Sequence, residues 1–229
     1  MSNEILFFAV MLFGLLSIPF AVWRGQAWVQ GLIVMMAILL GITDGKVIEV
    51  FGLPITLGTA LYTTIFLATA VLTENYGRKV ATDTALMSVS VLILFQIYLQ
   101  AVRLADPAAD VQSLSDAMDI VFTMSLRIVA AGLVVYYLAQ RLDIALYDYM
   151  KGRSGEKMLW LRNNASTLIS QLFDTFAFAF LAFYGVFDGW LALAGVAYGV
   201  KVLVIVLDTP LAYLSRFLAR LPDRSAAPG

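Results

Sequence analysis

The chain has 229 residues, of which 61% are hydrophobic, with a mean hydropathy of +0.86 and a formal net charge of −1. Soluble globular proteins contain roughly half apolar residues, so this composition indicates a membrane protein, and the lack of a basic excess excludes an electrostatic case for nucleic-acid binding. The sequence contains neither cysteine nor histidine, which excludes disulfides, thiolate zinc sites and the usual imidazole base of enzymes.

Seven apolar segments follow one another along the chain, and we predict each to be a transmembrane helix, because a helix satisfies its own backbone polar groups in lipid. The segments are Glu4–Trp23, Ala27–Ile42, Leu57–Thr73, Thr84–Arg103, Ala117–Ala139, Ala165–Phe187 and Trp190–Ser215. The first lacks a basic leader and a small-residue cleavage site, so we interpret it as a retained span. The sequence therefore predicts an all-α polytopic integral membrane protein, a bundle of about seven transmembrane helices.

Two connections between these segments carry further information. KVIEVF and PITLGT flank a turn around Gly52, a pattern compatible with a small hairpin at the membrane face or with a simple tight turn. The stretch QRLDIALYDYMKGRSGEKMLWLRNN is the longest predicted cytoplasmic loop, and part of it has the character of an interfacial helix.

The distribution of lysine and arginine predicts the orientation. With seven spans, eleven basic residues fall on one side of the membrane and two, Lys46 and Arg103, on the other. Because cytoplasmic loops carry the excess of basic residues, we predict an external N-terminus and a cytoplasmic C-terminus in the cell inner (plasma) membrane.

Charged side chains inside the last segments are the first candidates for a site, since a charge at this depth is costly unless paired and is usually functional. Asp174 lies about 12–14 Å into its helix and Lys201 about 16 Å into the antiparallel neighbour, so we predict a pair at one depth. Arg127 is expected near mid-membrane as a second cation. Such a site would accept an acceptor-rich or anionic ligand; alternatively, the charges only hold helices together.

Other polar and aromatic residues leave two interpretations open. Glu74 is either a helix-end acid beside Arg78 or a ligand contact. Asn163, Asn164 and Ser166 either cap the sixth span or bind a ligand at a positive helix end.

Within the spans, Gln96 either forms hydrogen bonds between helices or binds the edge of a base. Phe178 belongs to an aromatic run of which one or two rings could stack on a planar base. Asp208 is expected to be solvated at the cytoplasmic interface.

Four stretches together carry a resemblance to a known family: LATAVLTENYGRKVA, LAQRLDIALYDYMK, LWLRNNASTLISQLFDTFAFAFLAFYG and GVKVLVIVLDTPLAYL. Over about Gly31 to Tyr213 the chain resembles the queuosine-precursor transporters, also called the vitamin uptake transporter family. The resemblance implies a small inner-membrane importer related in fold to the substrate-binding components of energy-coupling-factor transporters. Its implied substrates are 7-deazaguanine bases: the cyano- and aminomethyl-substituted precursors of queuosine, a tRNA modification, or queuine.

The same resemblance implies a domain organisation and a set of site residues. The usual core has six helices, so residues 1–25 are expected to be an extra N-terminal helix, with a core at 27–215 and a cytoplasmic tail at 216–229. The acid of the E-x-Y-G motif falls on Glu74, and the basic residue of the final span on Lys201, while Lys46 matches a lysine after the short early helix. The polar residues of the sixth span fall on Arg162, Asn163, Asn164, Ser166, Gln171 and Asp174.

The sequence departs from the family pattern at Ala70, where many members have aspartate. Because residues four apart share a helix face, this removes a carboxylate beside Glu74 and leaves a related vitamin-like or purine-like ligand open.

We therefore predict a transporter, not an enzyme, that imports a planar base without a cofactor or metal. Asp174 and Glu74 would accept its N–H groups, and Lys201 and Arg127 would keep these carboxylates ionised. Gln171, Asn163 and Asn164 would supply further hydrogen bonds. Two alternatives remain: a substrate-binding component that needs an energy-coupling ATPase module, and a non-transporting structural membrane protein. A homo-oligomer is also open.

Overall fold

The computed structural model describes residues 2–43, 46–108, 111–122, 126–154, 158–185 and 188–220. Within these ranges the chain forms helices and one small hairpin. In chain order they are α1 Asn3–Arg24, α2 Gln26–Thr43, β1 Val47–Val50, β2 Leu53–Thr56, α3 Gly58–Tyr76, α4 Arg78–Arg103, α5 Gln112–Phe122, α6 Leu126–Ser154, α7 Leu159–Phe183 and α8 Trp190–Ala219. The predicted tail beyond Arg220 lies outside the described residues.

Helix α3 occupies the centre of the bundle. Every residue from Ala60 to Thr73 is buried, and the helix contacts α1, α2, α4, α6 and α8. Three of its buried threonines return their hydroxyls to a backbone carbonyl three or four residues earlier, as Thr69 does to the Ile65 carbonyl at 2.9 Å, which satisfies these hydroxyls within the helix. With 19 residues α3 is about 28 Å long, long enough to cross the bundle.

Six of the other helices are long and apolar enough to cross a membrane: α1, α2, α4, α6, α7 and α8. Together with the enclosed α3, they account for the predicted bundle of about seven helices. The all-α polytopic fold is confirmed. Helix α1 belongs to this bundle, since Phe7 and Ile18 are buried in its common core.

The fifth predicted span, Ala117–Ala139, is wrong in its bounds. Helix α5 ends at Phe122 and α6 begins at Leu126, with residues 123–125 outside the described part. Helix α6 then continues to Ser154, through most of the predicted cytoplasmic loop. The physical reason is that the polar residues Gln140, Asp143 and Tyr147 are buried against other helices of the protein. They lower the hydropathy of the sequence, although the helix continues through them.

Of the two interpretations of the stretch around Gly52, a hairpin or a simple tight turn, the structure shows the hairpin. Strands β1 and β2 pair antiparallel, with Val47 opposite Thr56 and Val50 opposite Leu53. Phe51 and Gly52 between them both have positive φ, 52° and 74°, as a two-residue type I′ turn requires. The start of α1 holds this turn, since the Glu4 carboxylate accepts a hydrogen bond from the Phe51 N–H at 3.2 Å.

Candidate functional site

A cavity of about 450 Å³ lies between the hairpin and helices α2, α3, α4, α6, α7 and α8. Most of its wall is apolar, and the hairpin residues Val47 and Ile55 border it at one end. The polar side chains in the wall are those of Thr56, Thr59, Tyr62, Gln96, Tyr136, Asp174, Thr175 and Lys201. A mostly apolar cavity of this size with a few convergent polar groups is typical of a small-molecule site.

The charged centre of the cavity is the pair formed by Asp174 and Lys201. The Lys201 ammonium donates to Asp174 Oδ2 at 3.0 Å and to Thr175 Oγ1 at 3.1 Å. The Tyr62 hydroxyl donates to the other carboxylate oxygen of Asp174. Only 5% of Asp174 and 8% of Lys201 is exposed, so the two charges neutralise each other in a nearly dry place. The prediction of a pair at one depth is confirmed.

Aromatic rings surround this pair. The Lys201 ammonium lies 4.6 Å from the centroid of the Tyr62 ring, and Tyr62 packs against Tyr136 with ring centroids 6.2 Å apart. The Tyr136 hydroxyl lies 3.1 Å from that of Ser88, which fixes the ring. Phe178 lines the cavity from α7. A planar ligand between these rings would have both an aromatic surface and a hydrogen-bonding pair within reach.

A second cluster of charges lies where the C-terminal ends of α3, α6 and α8 meet the start of α7. We call it the Glu74 cluster, and it consists of Glu74, Tyr147, Lys151, Arg162 and Arg216. The Glu74 carboxylate lies 2.7 Å from Arg162 Nη2, 3.2 Å from Arg216 Nε and 3.7 Å from Lys151 Nζ. It also accepts a hydrogen bond from the Tyr147 hydroxyl at 3.0 Å. The cluster ties four helices together and borders another cavity of about 720 Å³.

The two clusters are joined by one polar face of α7. Its buried side chains recur every three or four residues, the spacing of one helix face. They are Arg162, Asn163, Ser166, Thr167, Ser170, Gln171 and Asp174. From Arg162 to Asp174 the helix rises by about 18 Å. This length is more than half of a bilayer's hydrocarbon core.

The structure distributes the predicted site residues over several places. Asp174, Lys201, Gln96 and Phe178 line the cavity. The other predicted residues that the structure describes do not line it. Glu74 and Arg162 lie in the Glu74 cluster, and Glu74 pairs there rather than with Arg78, which lies 3.6 Å from Asp148. Lys46 is exposed at the base of the hairpin, where its carbonyl accepts from the Leu57 N–H.

The remaining predicted residues lie on α7: Asn163, Ser166 and Gln171 on its polar face, and the half-buried Asn164 beside that face. Ser166 and Gln171 are fully buried there. Asn163 donates to Asp208 Oδ1 at 3.3 Å, and Asn164 accepts from the Thr209 hydroxyl at 3.0 Å. These asparagines therefore connect α7 to α8.

Two predicted placements are wrong. Arg127 lies in the first turn of α6, exposed, and donates to the carbonyls of Leu181 and Tyr184 at 2.7 and 2.8 Å. It binds the C-terminal end of α7 because a long cation satisfies free carbonyls there. Asp208 is 3% exposed, not solvated, since α8 continues well past it to Ala219.

Sequence reasoning missed three residues that the structure brings into the site region. Tyr62 lies in α3, which is buried on all sides, so the sequence of this helix has no polar and apolar face that would point to Tyr62. Thr175 adjoins Asp174 and would be found by asking which hydroxyls reach Lys201. Asp143 was assigned to a loop, although the spacing of Gln140, Asp143 and Tyr147 already follows one helix face.

Comparison with known proteins agrees with this architecture. Residues 56–215 match the family model described as "Putative vitamin uptake transporter". The chain is 35% identical over 184 residues to the "Probable queuosine precursor transporter" of Bacillus subtilis (strain 168), covering 79% of this chain and 80% of that protein. It is 36% identical over 107 residues to the "Queuosine precursor transporter" of Escherichia coli (strain K12), covering 43% and 47%. No solved structure was found to match the chain.

The family match begins at Thr56 and ends at Ser215, so it includes most of the cavity wall and every residue of the Glu74 cluster except Arg216. A multi-pass helical bundle with a cavity of small-molecule size is compatible with a transporter. The chain therefore belongs to the vitamin uptake transporter family of membrane transporters.

Proposed function

We propose that this transporter imports a queuosine precursor, a 7-deazaguanine-type base, into the cytoplasm. The observation that carries the proposal is the Asp174–Lys201 pair in the wall of a mostly apolar, aromatic cavity of about 450 Å³. A guanine-like edge presents adjacent N–H donors and a carbonyl acceptor, and a carboxylate beside an ammonium complements both kinds of group. The names of the two relatives support the same substrate class.

Each residue of the pair has a distinct role in this proposal. Asp174 accepts N–H groups of the base and exchanges the Tyr62 hydroxyl for the ligand. Lys201 stays bonded to Thr175 and donates to the carbonyl of the base. Gln96 offers an amide to the ring edge, and Phe178 stacks on its face, which adds apolar contact without a charge.

The proposed direction of transport follows from the arrangement of charges. The Glu74 cluster, with its basic residues, would lie at the cytoplasmic end under the positive-inside rule, which leaves the N-terminus outside in the plasma membrane. The cavity borders the hairpin, and the hairpin would then lie at the external end. The ligand would enter beside the hairpin, and the Glu74 cluster would close the path inward.

Complementation tests the proposal. A host that cannot make queuosine, and that lacks its own importer and any energy-coupling module, would express this protein alone and receive a low concentration of each deazaguanine precursor. We expect queuosine to return to its tRNA. If no precursor restores it while the protein is correctly inserted, the substrate assignment is wrong. If restoration requires a co-expressed module, the protein is a substrate-binding component of that module.

A matched pair of variants makes the assay specific. Asp174→Asn should abolish uptake, and Asp83→Asn, the same change at an exposed position of α4, should leave it intact. Normal uptake by a well-expressed Asp174→Asn variant would contradict the site.

A further inference from the structure

Buried polar groups that the cavity does not use lie along the polar face of α7, between Asp174 and the Glu74 cluster. They come from three helices: Gln140 and Asp143 from α6, Asn163 and Gln171 from α7, and Asp208 from α8. We call these five residues the inner polar cluster. None is more than 3% exposed, so each group must find its hydrogen bonds inside the protein or from a molecule that enters.

Hydrogen bonds connect both aspartates of the cluster to side chains of α7. Asp143 Oδ1 accepts from the hydroxyls of Thr167 and Ser170 at 3.2 and 3.1 Å. Asp208 Oδ1 accepts from the amide of Asn163, which lies four residues before Thr167 on the same α7 face. Both aspartates therefore face α7 from either side.

Much of the hydrogen-bonding capacity of the cluster is unused. Among the described residues, Asp143 Oδ2, Asn163 Oδ1, Gln171 Oε1 and both side-chain polar atoms of Gln140 make no hydrogen bond. These are four acceptors and one donor. Buried polar atoms in proteins nearly always have a partner, and a surplus of acceptors calls for a molecule that brings donors.

The ion pairs found within the described ranges involve neither Asp143 nor Asp208. The basic residues of the nearby Glu74 cluster each lie within ion-pair distance of Glu74. The side-chain groups that donate to the two aspartates in this part of the structure are the neutral hydroxyls of Thr167 and Ser170 and the neutral amide of Asn163.

We propose that the inner polar cluster is a second binding station for the transported molecule, on the inner half of its path. The station would take a ligand with several N–H donors, such as the amino-pyrimidine edge of a deazaguanine base, which can pair with a carboxylate through parallel hydrogen bonds. The ligand leaves Asp174, meets Gln171 and Gln140, and is held by Asp143 before the Glu74 cluster opens. This inference rests on the proposed function, because it uses the same ligand.

The station and the cavity can be separated experimentally, since a variant of the station should slow passage without weakening entry. Asp143→Asn keeps the shape of the side chain and removes its charge. Gln140→Met removes two polar atoms that have no partner in the protein, so a purely structural role predicts an equal or more stable variant. Each variant, in the full chain, is compared with Asp83→Asn for deazaguanine binding to purified protein and for uptake at saturating ligand.

We expect both variants to bind the base within about twofold of wild type. Asp143→Asn should transport it at least about tenfold more slowly, the loss typical of a hydrogen bond to a charged group, and Gln140→Met about fivefold more slowly, the loss typical of a neutral hydrogen bond. Gln140→Met should also unfold at the same or a higher temperature. Unchanged uptake in both variants would overturn the station and leave water as the partner of these atoms. Uptake that sodium restores in Asp143→Asn would assign the station to a cation instead.

The outcomes for the two proposals differ. Wild-type protein that neither binds nor carries any deazaguanine would overturn the proposed function and the station together. Wild-type protein that carries the base, with variants that carry it equally well, would overturn only the station.

Discussion

The buried pair of Asp174 and Lys201 gives a prediction in which stability and transport separate. At 3.0 Å and an effective dielectric constant of about 20, their attraction is about 5.5 kcal/mol. Most of this offsets the cost of removing two charges from water, so the intact pair contributes little net stability. Removing one partner is different, because the other charge stays buried without compensation, at a cost of about 3–5 kcal/mol.

Three variants follow from this reasoning: Asp174→Asn, Lys201→Met and the double variant. Each single change should lower the free energy of unfolding in detergent micelles by about 3–5 kcal/mol. The double variant should be more stable than either single variant, because it leaves no unpaired charge. Uptake should fail in Asp174→Asn and in the double variant, since both lack the carboxylate that accepts from the ligand.

Two results would refute this reasoning. If the destabilisation of the double variant equals the sum of the single effects, Asp174 and Lys201 are not energetically coupled. If the double variant is stable and also transports normally, the pair has no role in transport. Loss of the hydrogen bond from the ligand to the charged Asp174 carboxylate should lower the apparent affinity about 10–150-fold, so uptake should fail at low ligand concentration, and an uptake titration measures the shift.

Three further predictions concern other parts of the fold. Glu74→Gln should lower the free energy of unfolding by about 3–5 kcal/mol, because it leaves Arg162, only 1% exposed, without its carboxylate. Gly14→Ala should destabilise by about 1–3 kcal/mol, because the added Cβ would overlap Thr64 Oγ1 where α1 meets α3; thermal unfolding measures both effects. Arg127→Ala should destabilise by about 1.5–3 kcal/mol through loss of its bonds to α7, while the KM for uptake stays unchanged.

Each of these predictions has an internal control. Asp148→Asn removes the carboxylate of a half-exposed pair and should change stability by less than about 1 kcal/mol. Gly31→Ala places its Cβ in open space and should be tolerated. Thr64→Ala should recover part of the stability lost in Gly14→Ala, and a double variant no better than the single would show that this contact is not the cause. A raised KM in Arg127→Ala would return Arg127 to the ligand site.

The hydropathy pattern by itself determined the class of protein, the number of helices in the bundle and the level at which Asp174 meets Lys201. These follow from local physics: a helix has a fixed rise, lipid requires satisfied backbone groups, and two spans joined by a short turn must be neighbours. The turn at Gly52 could also be read from the sequence, although only the structure showed that it joins the two strands of a hairpin. The family motifs led to the prediction of Glu74 and Arg162 as site residues, without showing that the two pair with each other.

The tertiary structure decided which polar residues face one another. Tyr62 reaches Asp174 across 112 positions of sequence, and Glu74 reaches Arg162 across 88; no local pattern encodes such distances. Asp143 and Asp208 could not be read correctly from hydropathy, because a residue that faces protein inside a membrane looks, in sequence, like one that faces water. Only the packing of α6, α7 and α8 distinguishes the two, since it alone determines which side of each helix is covered.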